Sequence, residues 1–229
     1  NQLMSMKDGG VVIIGPPSGA FRCPPGPYER ASLIAGYLKK NKPKSKVLLL
    51  DPKDKFSKFG LFMEGWKTHY GYGSDNSLIT WVNGDQGGAI EKISARDRTV
   101  TSVSGEDFKG DVINIIPDQK AGAIAFTAGL TDDSGWCPVD LHTFESTIRK
   151  NIHVIGDASQ AKGMPKSGYA SSSEAKVCAA GIVALLNGEA LGAPAYTNTC
   201  YSVISFDAKD CISVAAIYKL AADKSKIVR

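Results

Sequence analysis

The chain has 229 residues, of which 43% are hydrophobic and 22% are charged, a composition typical of a globular protein that buries a core. Lysine and arginine exceed aspartate and glutamate by only four charges, 27 against 23, which argues against a nucleic-acid-binding protein. No apolar run approaches the ~20 residues of a membrane-spanning helix. The three histidines lack the spacing of a structural zinc site, and the first residues lack the pattern of a secretory signal.

The first part of the chain predicts a βαβ unit. The β-branched run at 11–14 and the apolar run at 46–51 are typical of buried parallel strands. Between them, residues 29–41 carry an apolar stripe at helical spacing and end in lysines, which favour the C-terminus of a helix. A second helix is predicted within 57–71.

The rest of the chain alternates further predicted strands with one long helix. These elements are an antiparallel meander at 89–93 and 98–103, buried strands at 111–116 and 151–157, a helix from about 171 to 186, and strands of a different unit between 195 and 217. Strands separated by helices indicate an α/β fold with a parallel sheet.

The connection after the first strand, Gly15-Pro16-Pro17-Ser18-Gly19, stands where a dinucleotide-binding fold has its glycine-rich phosphate turn. Two prolines there remove N–H donors and add bulk. Asp51 stands where a ribose-binding acid would follow the next strand. The residues favour a Rossmann-like scaffold without a nucleotide over an NAD site.

Cys23 lies in a proline-rich loop directly before a predicted helix. The helix dipole and the neighbouring Arg22 and Arg30 favour a thiolate at this position, although a buried structural cysteine is the alternative. Glu29, taken by its local sequence, is more typical of a first-turn helix acid than of a catalytic base. Of the other cysteines, Cys137 and Cys178 are predicted to pack, Cys200 could face a site, and Cys211 has no assigned role.

The segment 151–158 is a more specific indication of function than the loop around Cys23. An apolar strand that ends in Gly156-Asp157-Ala158, followed by a helix, is similar to the second flavin-contacting motif of flavoproteins with two dinucleotide-type domains. In that motif the aspartate accepts hydrogen bonds from the ribityl or pyrophosphate region. The residues from Pro165 to Ser171 would open the helix and offer backbone N–H groups to an electron-rich partner.

Five segments together resemble the flavoprotein subunit of flavocytochrome c sulfide dehydrogenase. They are 22–31 (Arg-Cys-Pro-Pro-Gly-Pro-Tyr-Glu-Arg-Ala), 135–140, 152–158, 164–169 and 198–202. The fold that this resemblance implies is α/β, a glutathione-reductase-like flavoprotein of two dinucleotide-binding-type domains, incomplete here, with the start of an α+β C-terminal domain. It divides the chain into a Rossmann-like central domain (1–118), the second part of the FAD-binding domain (119–194) and the beginning of the C-terminal domain (195–229).

The resemblance also implies roles for individual residues. Cys23 and Cys200 match the two cysteines of a redox-active disulfide beside the flavin, and Glu29 matches a nearby acid that is a candidate proton acceptor. The residues that match flavin-contacting positions are Gly156, Asp157, Ala158, Lys166, Ser167, Gly168 and Tyr169.

The activity implied by the resemblance is oxidation of sulfide to sulfur or polysulfide. Hydrosulfide attacks the disulfide as in thiol–disulfide exchange, FAD takes up two electrons, and haem c on a cytochrome c subunit receives them singly. A persistent disulfide implies an oxidising compartment, here the periplasm. The family's first βαβ unit and its flavin-linking cysteine have no counterpart in these residues, so the expectation is an internal part of a longer flavoprotein chain, with the remainder of that chain as a partner.

Three alternatives stay open. One is a flavin-free fragment without activity that only docks a cytochrome. Another is an enzyme like sulfide:quinone oxidoreductase, which would need a membrane-binding segment. The third is an NAD(P)H-dependent disulfide reductase, against which the prolines at 16 and 17 and the lack of a Cys-x4-Cys pair both argue.

Overall fold

The computed structural model describes all 229 residues and divides the chain into two compact units. The first unit comprises residues 1–19, 24–118 and 201–212, and the second comprises 20–23, 119–200 and 213–229. None of the helices has the length and apolar character needed to cross a membrane.

Seven strands lie in the first unit, and the predicted parallel sheet is confirmed. They are β1 (Val11–Gly15), β2 (Lys46–Leu50), β3 (Ile79–Val82), β4 (Ile90–Ser94), β5 (Thr99–Ser102), β6 (Asp107–Lys109) and β7 (Val112–Ile115). Four of them form a wholly parallel sheet in the order β3–β2–β1–β7, while β4, β5 and β6 form a separate antiparallel meander. The meander was predicted; β3 was not.

The helices of this unit are α1 (Gln2–Ser5), α2 (Gly26–Asn41) and α3 (Phe59–Tyr70). α2 begins three residues before its predicted start because proline in the first turn suits a helix N-terminus, and lysines occupy its last turn. It buries Tyr28, which stacks on Phe56 with ring centroids 3.5 Å apart, and Ser32, which accepts a hydrogen bond from Trp66 at 2.8 Å. These contacts hold α2 and α3 to one face of the sheet through a common core.

The second unit contains α4 (Ala123–Thr127) and α5 (Gly168–Asn187). The strand predicted at 151–157 is wrong: the segment forms one isolated bridge, between Glu145 and His153, and then a 3-10 turn over Gly156–Ala158. The reason is the lack of a long extended neighbour, because only the short segment around Glu145 pairs with it. Apolar residues of the run are therefore partly exposed, Ile152 at 41% and Ile155 at 40%.

Three strands follow α5 and confirm the β-rich character predicted for this part. They are β8 (Ala195–Val203), β9 (Cys211–Leu220) and β10 (Ile227–Val228), which form a sheet in the order β10–β9–β8, with β10 antiparallel to β9. Within the second unit, Tyr196 of β8 and Ile227 of β10 are buried in a cluster with Phe144.

Candidate functional site

The loop before α5 contacts the Cys23 segment within the second unit. The backbone N–H of Cys23 donates a hydrogen bond to the carbonyl oxygen of Lys166, at 2.8 Å. Cys23 has a left-handed backbone (φ 57°), a conformation that non-glycine residues rarely adopt, and its side chain is exposed. The contact fixes Cys23 against the turn that opens α5.

The same turn contacts the strand that carries Cys200. The Ser167 hydroxyl donates to Asn198 Oδ1 at 2.7 Å and accepts from the N–H of Ala170 at 3.2 Å, which makes Ser167 the N-cap of α5. One turn further along the helix, Ser173 accepts from the N–H of Thr197 at 2.9 Å. Asn198 precedes Cys200 by two residues. Cys23 and the β8 segment around Cys200 therefore contact two consecutive residues of one turn, and the disulfide itself stays a prediction.

The side chain of Lys166 ties this turn to the Gly-Asp segment. Its ammonium donates to the carbonyl oxygens of Asp157 at 2.7 Å and Ser159 at 2.8 Å, and it lies 3.8 Å from the ring centre of Trp136. Burial lowers the pKa of Lys166 from its usual value, while the nearby carboxylates oppose that shift. The ammonium is thus held by main-chain carbonyls and an aromatic face.

The 3-10 turn over Gly156–Ala158 has a left-handed glycine at its start (φ 71°), where an added Cβ would lie 2.9 Å from the Ser171 hydroxyl. The N–H of Gly156 donates to Glu174 Oε2 at 2.6 Å. Glu174 is 2% exposed, and burial raises the pKa of its carboxyl. The next residue, Asp157, has a buried Oδ1 with no hydrogen-bond partner.

A cavity of about 370 Å³ lies beside this turn within the second unit. Its lining includes Trp136, Gly156, Gln160, Met164, Lys166 and Glu174. A buried carboxylate oxygen without a donor costs free energy unless a ligand supplies one. A flavin's ribityl hydroxyls are such donors. The unpartnered Oδ1 of Asp157, which follows the cavity-lining residue Gly156 but does not itself line the cavity, therefore suits the cofactor that the resemblance implies.

Glu29 has a defined partner within the first unit. Its Oε1 accepts a hydrogen bond from the N–H of Val203 at 2.8 Å, and Lys58 donates to the Ser202 hydroxyl at 3.0 Å. The two charged side chains hold the residues that follow Cys200 in β8. Lys58 had no signal in the sequence beyond its place in a lysine-rich stretch.

The structure also places Cys137, Cys178 and Tyr169. Cys137 and Cys178 are buried at 0% and 7% exposure, which confirms that they pack, and burial raises the pKa of both thiols. Tyr169 is 51% exposed at the start of α5. Sequence reasoning missed Glu174 and Trp136. A lone acid among the small residues of α5 was the one available signal for Glu174, whereas Trp136 lies in the segment 135–140 that carries the family resemblance but received no role.

Asp51, the residue at the ribose-binding position, is not available to a ligand. It is fully buried, and its Oδ2 accepts from the Tyr28 hydroxyl at 2.6 Å and from the Trp81 indole at 3.1 Å. Its Oδ1 pairs with the Lys53 ammonium at 2.9 Å. The chain's own donors use both oxygens of Asp51, which argues against the NAD-site alternative and agrees with the favoured Rossmann-like scaffold.

Solved structures share this fold. The sulfide:quinone oxidoreductase of Aquifex aeolicus is 17% identical with a TM-score of 0.65, and the alignment covers 96% of this chain and 53% of that one. A chain in the mitochondrial ATP synthase of Tetrahymena thermophila is 16% identical with a TM-score of 0.68, over 94% of this chain and 52% of that one. The NAD-dependent persulfide reductase of A. fulgidus is 13% identical with a TM-score of 0.51, over 99% and 46%. The chain spans about half the length of each, and the likeness confirms the predicted α/β fold.

Two family models match the sequence. The model for the flavin-binding part of flavocytochrome c sulphide dehydrogenase matches residues 192–229. The model for the central part of the sulfide dehydrogenase [flavocytochrome c] flavoprotein chain matches residues 1–117, which is more than half of the chain. Both agree with the resemblance in the motifs. This chain belongs to the flavoprotein family of flavocytochrome c sulfide dehydrogenase, a family of flavin-dependent sulfide oxidoreductases.

Proposed function

We propose that this chain takes part in oxidation of sulfide to sulfur or polysulfide, through a redox-active disulfide between Cys23 and Cys200. Family membership supports the flavin and the sulfide chemistry. The observation that carries the proposal is the turn at Lys166 and Ser167, which hydrogen-bonds the Cys23 backbone and the Asn198 side chain. Two cysteine segments far apart in sequence meet at this turn, and Lys166 also lines the cavity beside the Gly156–Ala158 turn.

The thiol chemistry balances within the chain. Hydrosulfide attacks one sulfur of the disulfide, so the Cys23–Cys200 bond breaks and a new S–S bond joins the substrate sulfur to the attacked cysteine. The electron pair of the broken bond leaves on the other cysteine as a thiolate. Cys23 follows Arg22 in the sequence, and a neighbouring guanidinium favours that thiolate.

The second unit supplies the groups that would hold a flavin. FAD, when bound, accepts two electrons and can release them one at a time. Asp157 Oδ1 is the acceptor for a flavin hydroxyl. First-turn N–H groups of a helix lack intrahelical acceptors, and Ser167 caps only that of Ala170. The N–H groups of Gly168 and Tyr169 therefore remain as donors at the positive end of α5, where they favour negative charge.

A proton acceptor, an electron acceptor and an oxidising compartment complete the proposed reaction. Glu29 takes the proton released from the substrate sulfur, and its contact with Val203 keeps its carboxyl fixed relative to the residues after Cys200. A cytochrome c subunit with haem c receives the electrons. The periplasm is the compartment, because oxidising surroundings favour a disulfide that persists between turnovers.

The test uses the flavin-loaded protein with its cytochrome. Peptide mapping without reductant should recover the segment around Cys23 joined to the one around Cys200, and sulfide should bleach the flavin bands and reduce the cytochrome. Cys23→Ser and Cys200→Ser should each abolish bleaching, whereas Cys211→Ser, at an exposed cysteine of β9, should not.

Three results would contradict the proposal. One is free alkylation of both cysteines under oxidising conditions, and another is a bond between Cys200 and Cys211. The third is a Cys23–Cys200 bond that sulfide leaves unchanged, in which case the disulfide is only structural. Reduction of a quinone analogue in place of the cytochrome would overturn the choice of electron acceptor alone.

A further inference from the structure

The tip of the β8–β9 hairpin packs on α2 and α3 within the first unit. Residues 201–212, which we call the hairpin arm, follow Cys200 directly and belong to that unit. Ile204 of the arm is 2% exposed and lies in the core that the two helices share. The chain therefore enters this core a few residues after Cys200.

Two glycines inside the helices make room for the hairpin arm. A Cβ added to Gly36 of α2 would lie 2.4 Å from the Cβ of Phe206 and 3.2 Å from its Cα. One added to Gly65 of α3 would lie 2.8 Å from Cγ2 of Ile204. Glycine in a helix interior is less favourable than alanine, and at these two positions it permits the close approach of the arm. By contrast, a Cβ added to Gly60 of α3 would have nothing within 4 Å.

Tyr70, the last residue of α3, binds the hairpin arm by a buried hydrogen bond. Its hydroxyl donates to the carbonyl oxygen of Ile204 at 2.6 Å, and the residue is 4% exposed. Burial and, to a smaller extent, the charge of Asp207 raise the pKa of Tyr70 to about 12, so the hydroxyl keeps the proton that it donates. Near the end of the arm, His69 Nε2 lies 2.9 Å from Asp210 Oδ2. The arm is thus held both inside the core and at its surface.

We propose that Gly36, Gly65 and Tyr70 form a seat for the hairpin arm that positions Cys200, and so determines how readily the Cys23–Cys200 bond forms. Because β8 runs without interruption from Ala195 to Val203, a shift of Ile204 is transmitted along the strand to Cys200. A disulfide closes more readily when its cysteines are held in place, since less conformational freedom is lost. These three are positioning residues, which act through Cys200. The inference rests on the disulfide of the proposed function.

The test measures the equilibrium of the Cys23–Cys200 bond with glutathione in the whole chain. Two glutathione thiols reduce the bond to two cysteine thiols and are oxidised to glutathione disulfide. Gly36→Ala should make the bond about tenfold easier to reduce, which is about 30 mV for a two-electron couple, because the added methyl displaces Phe206. Tyr70→Phe should shift the equilibrium about threefold in the same direction, since it loses only the hydrogen bond to Ile204. The matched control is Gly60→Ala, which adds the same methyl to α3 in open space and should leave the equilibrium unchanged.

The outcomes separate a positioning role from a structural one. Lower unfolding free energies in Gly36→Ala and Tyr70→Phe, with a wild-type glutathione equilibrium in both, would show that the seat is only structural. Equal shifts in Gly36→Ala and Gly60→Ala would show a general effect of the helix substitution and overturn the inference. If Gly36→Ala fails to fold, Tyr70→Phe decides by the same criterion. A wild type without the Cys23–Cys200 bond would overturn the proposed function and this inference together, whereas a bond that no variant shifts overturns this inference alone.

Discussion

Replacing Lys166 by methionine should weaken the second unit strongly. The change removes two hydrogen bonds from a charged donor, to the carbonyls of Asp157 and Ser159, and the contact with the Trp136 ring. Hydrogen bonds of this kind contribute about 1.5–3 kcal/mol each, and a cation–π contact adds about 1 kcal/mol. The cost of burying the ammonium, which lowers the pKa of Lys166, offsets part of this sum. The expected loss in the free energy of unfolding is about 2–4 kcal/mol.

Urea denaturation followed by circular dichroism measures this loss, and the emission of Trp136 should change in the folded state because the ammonium leaves its ring. Lys162→Met is the matched control: Lys162 is exposed on the same loop, so its replacement should change the free energy of unfolding by less than about 0.5 kcal/mol. Equal losses in the two variants would refute the reasoning, since they would mean that the contacts of Lys166 contribute nothing beyond those of a surface lysine.

Three further variants test the same turn. Burial raises the folded-state pKa of Glu174 above its usual 4.5, so the wild type should lose stability relative to Glu174→Gln as the pH rises from 4.5 through the raised pKa; a difference that does not change with pH would contradict this. Ser167→Ala removes the N-cap of α5 and should cost about 1 kcal/mol of unfolding free energy, whereas Ser172→Ala, exposed in the same helix, should not destabilise. Asp157→Ala should weaken flavin binding by roughly 1.5–3 kcal/mol in reconstitution of the apoprotein, and unchanged affinity would remove Asp157 from the flavin site.

The parallel sheet of the first unit could be predicted because its strands are continuous apolar runs flanked by helical patterns. β3 escaped prediction since its four residues, Ile-Thr-Trp-Val, are interrupted by a polar threonine and do not form a continuous apolar run. The opposite error occurred at 151–157, where a good apolar run lacks an extended partner and becomes a bridge and a 3-10 turn. The sequence pattern of a segment indicates which secondary structure it favours. Whether a neighbouring strand is available to pair with it depends on the tertiary fold.

The candidate site likewise has features that the sequence predicts and others that only the tertiary fold determines. Cys23 and the Gly156-Asp157-Ala158 segment stand out by motif, and so does the start of α5. How these segments lie relative to one another cannot be predicted from motifs, because the contacts that join them link residues far apart in the chain. These contacts are Cys23 to Lys166, Ser167 to Asn198, and Gly156 to Glu174. The family resemblance identifies the candidate site residues, and the structure shows which of their atoms are in contact.

Those connections give Lys166 a role that its motif position does not suggest. Its carbonyl accepts from Cys23, and its ammonium holds the turn that carries Asp157. One residue therefore ties the backbone of a proposed redox cysteine to the backbone of the proposed flavin-contacting acid. The link to Cys23 runs through the Lys166 main chain, whereas the link to Asp157 runs through its side chain, so replacing the side chain removes the second link and leaves the first.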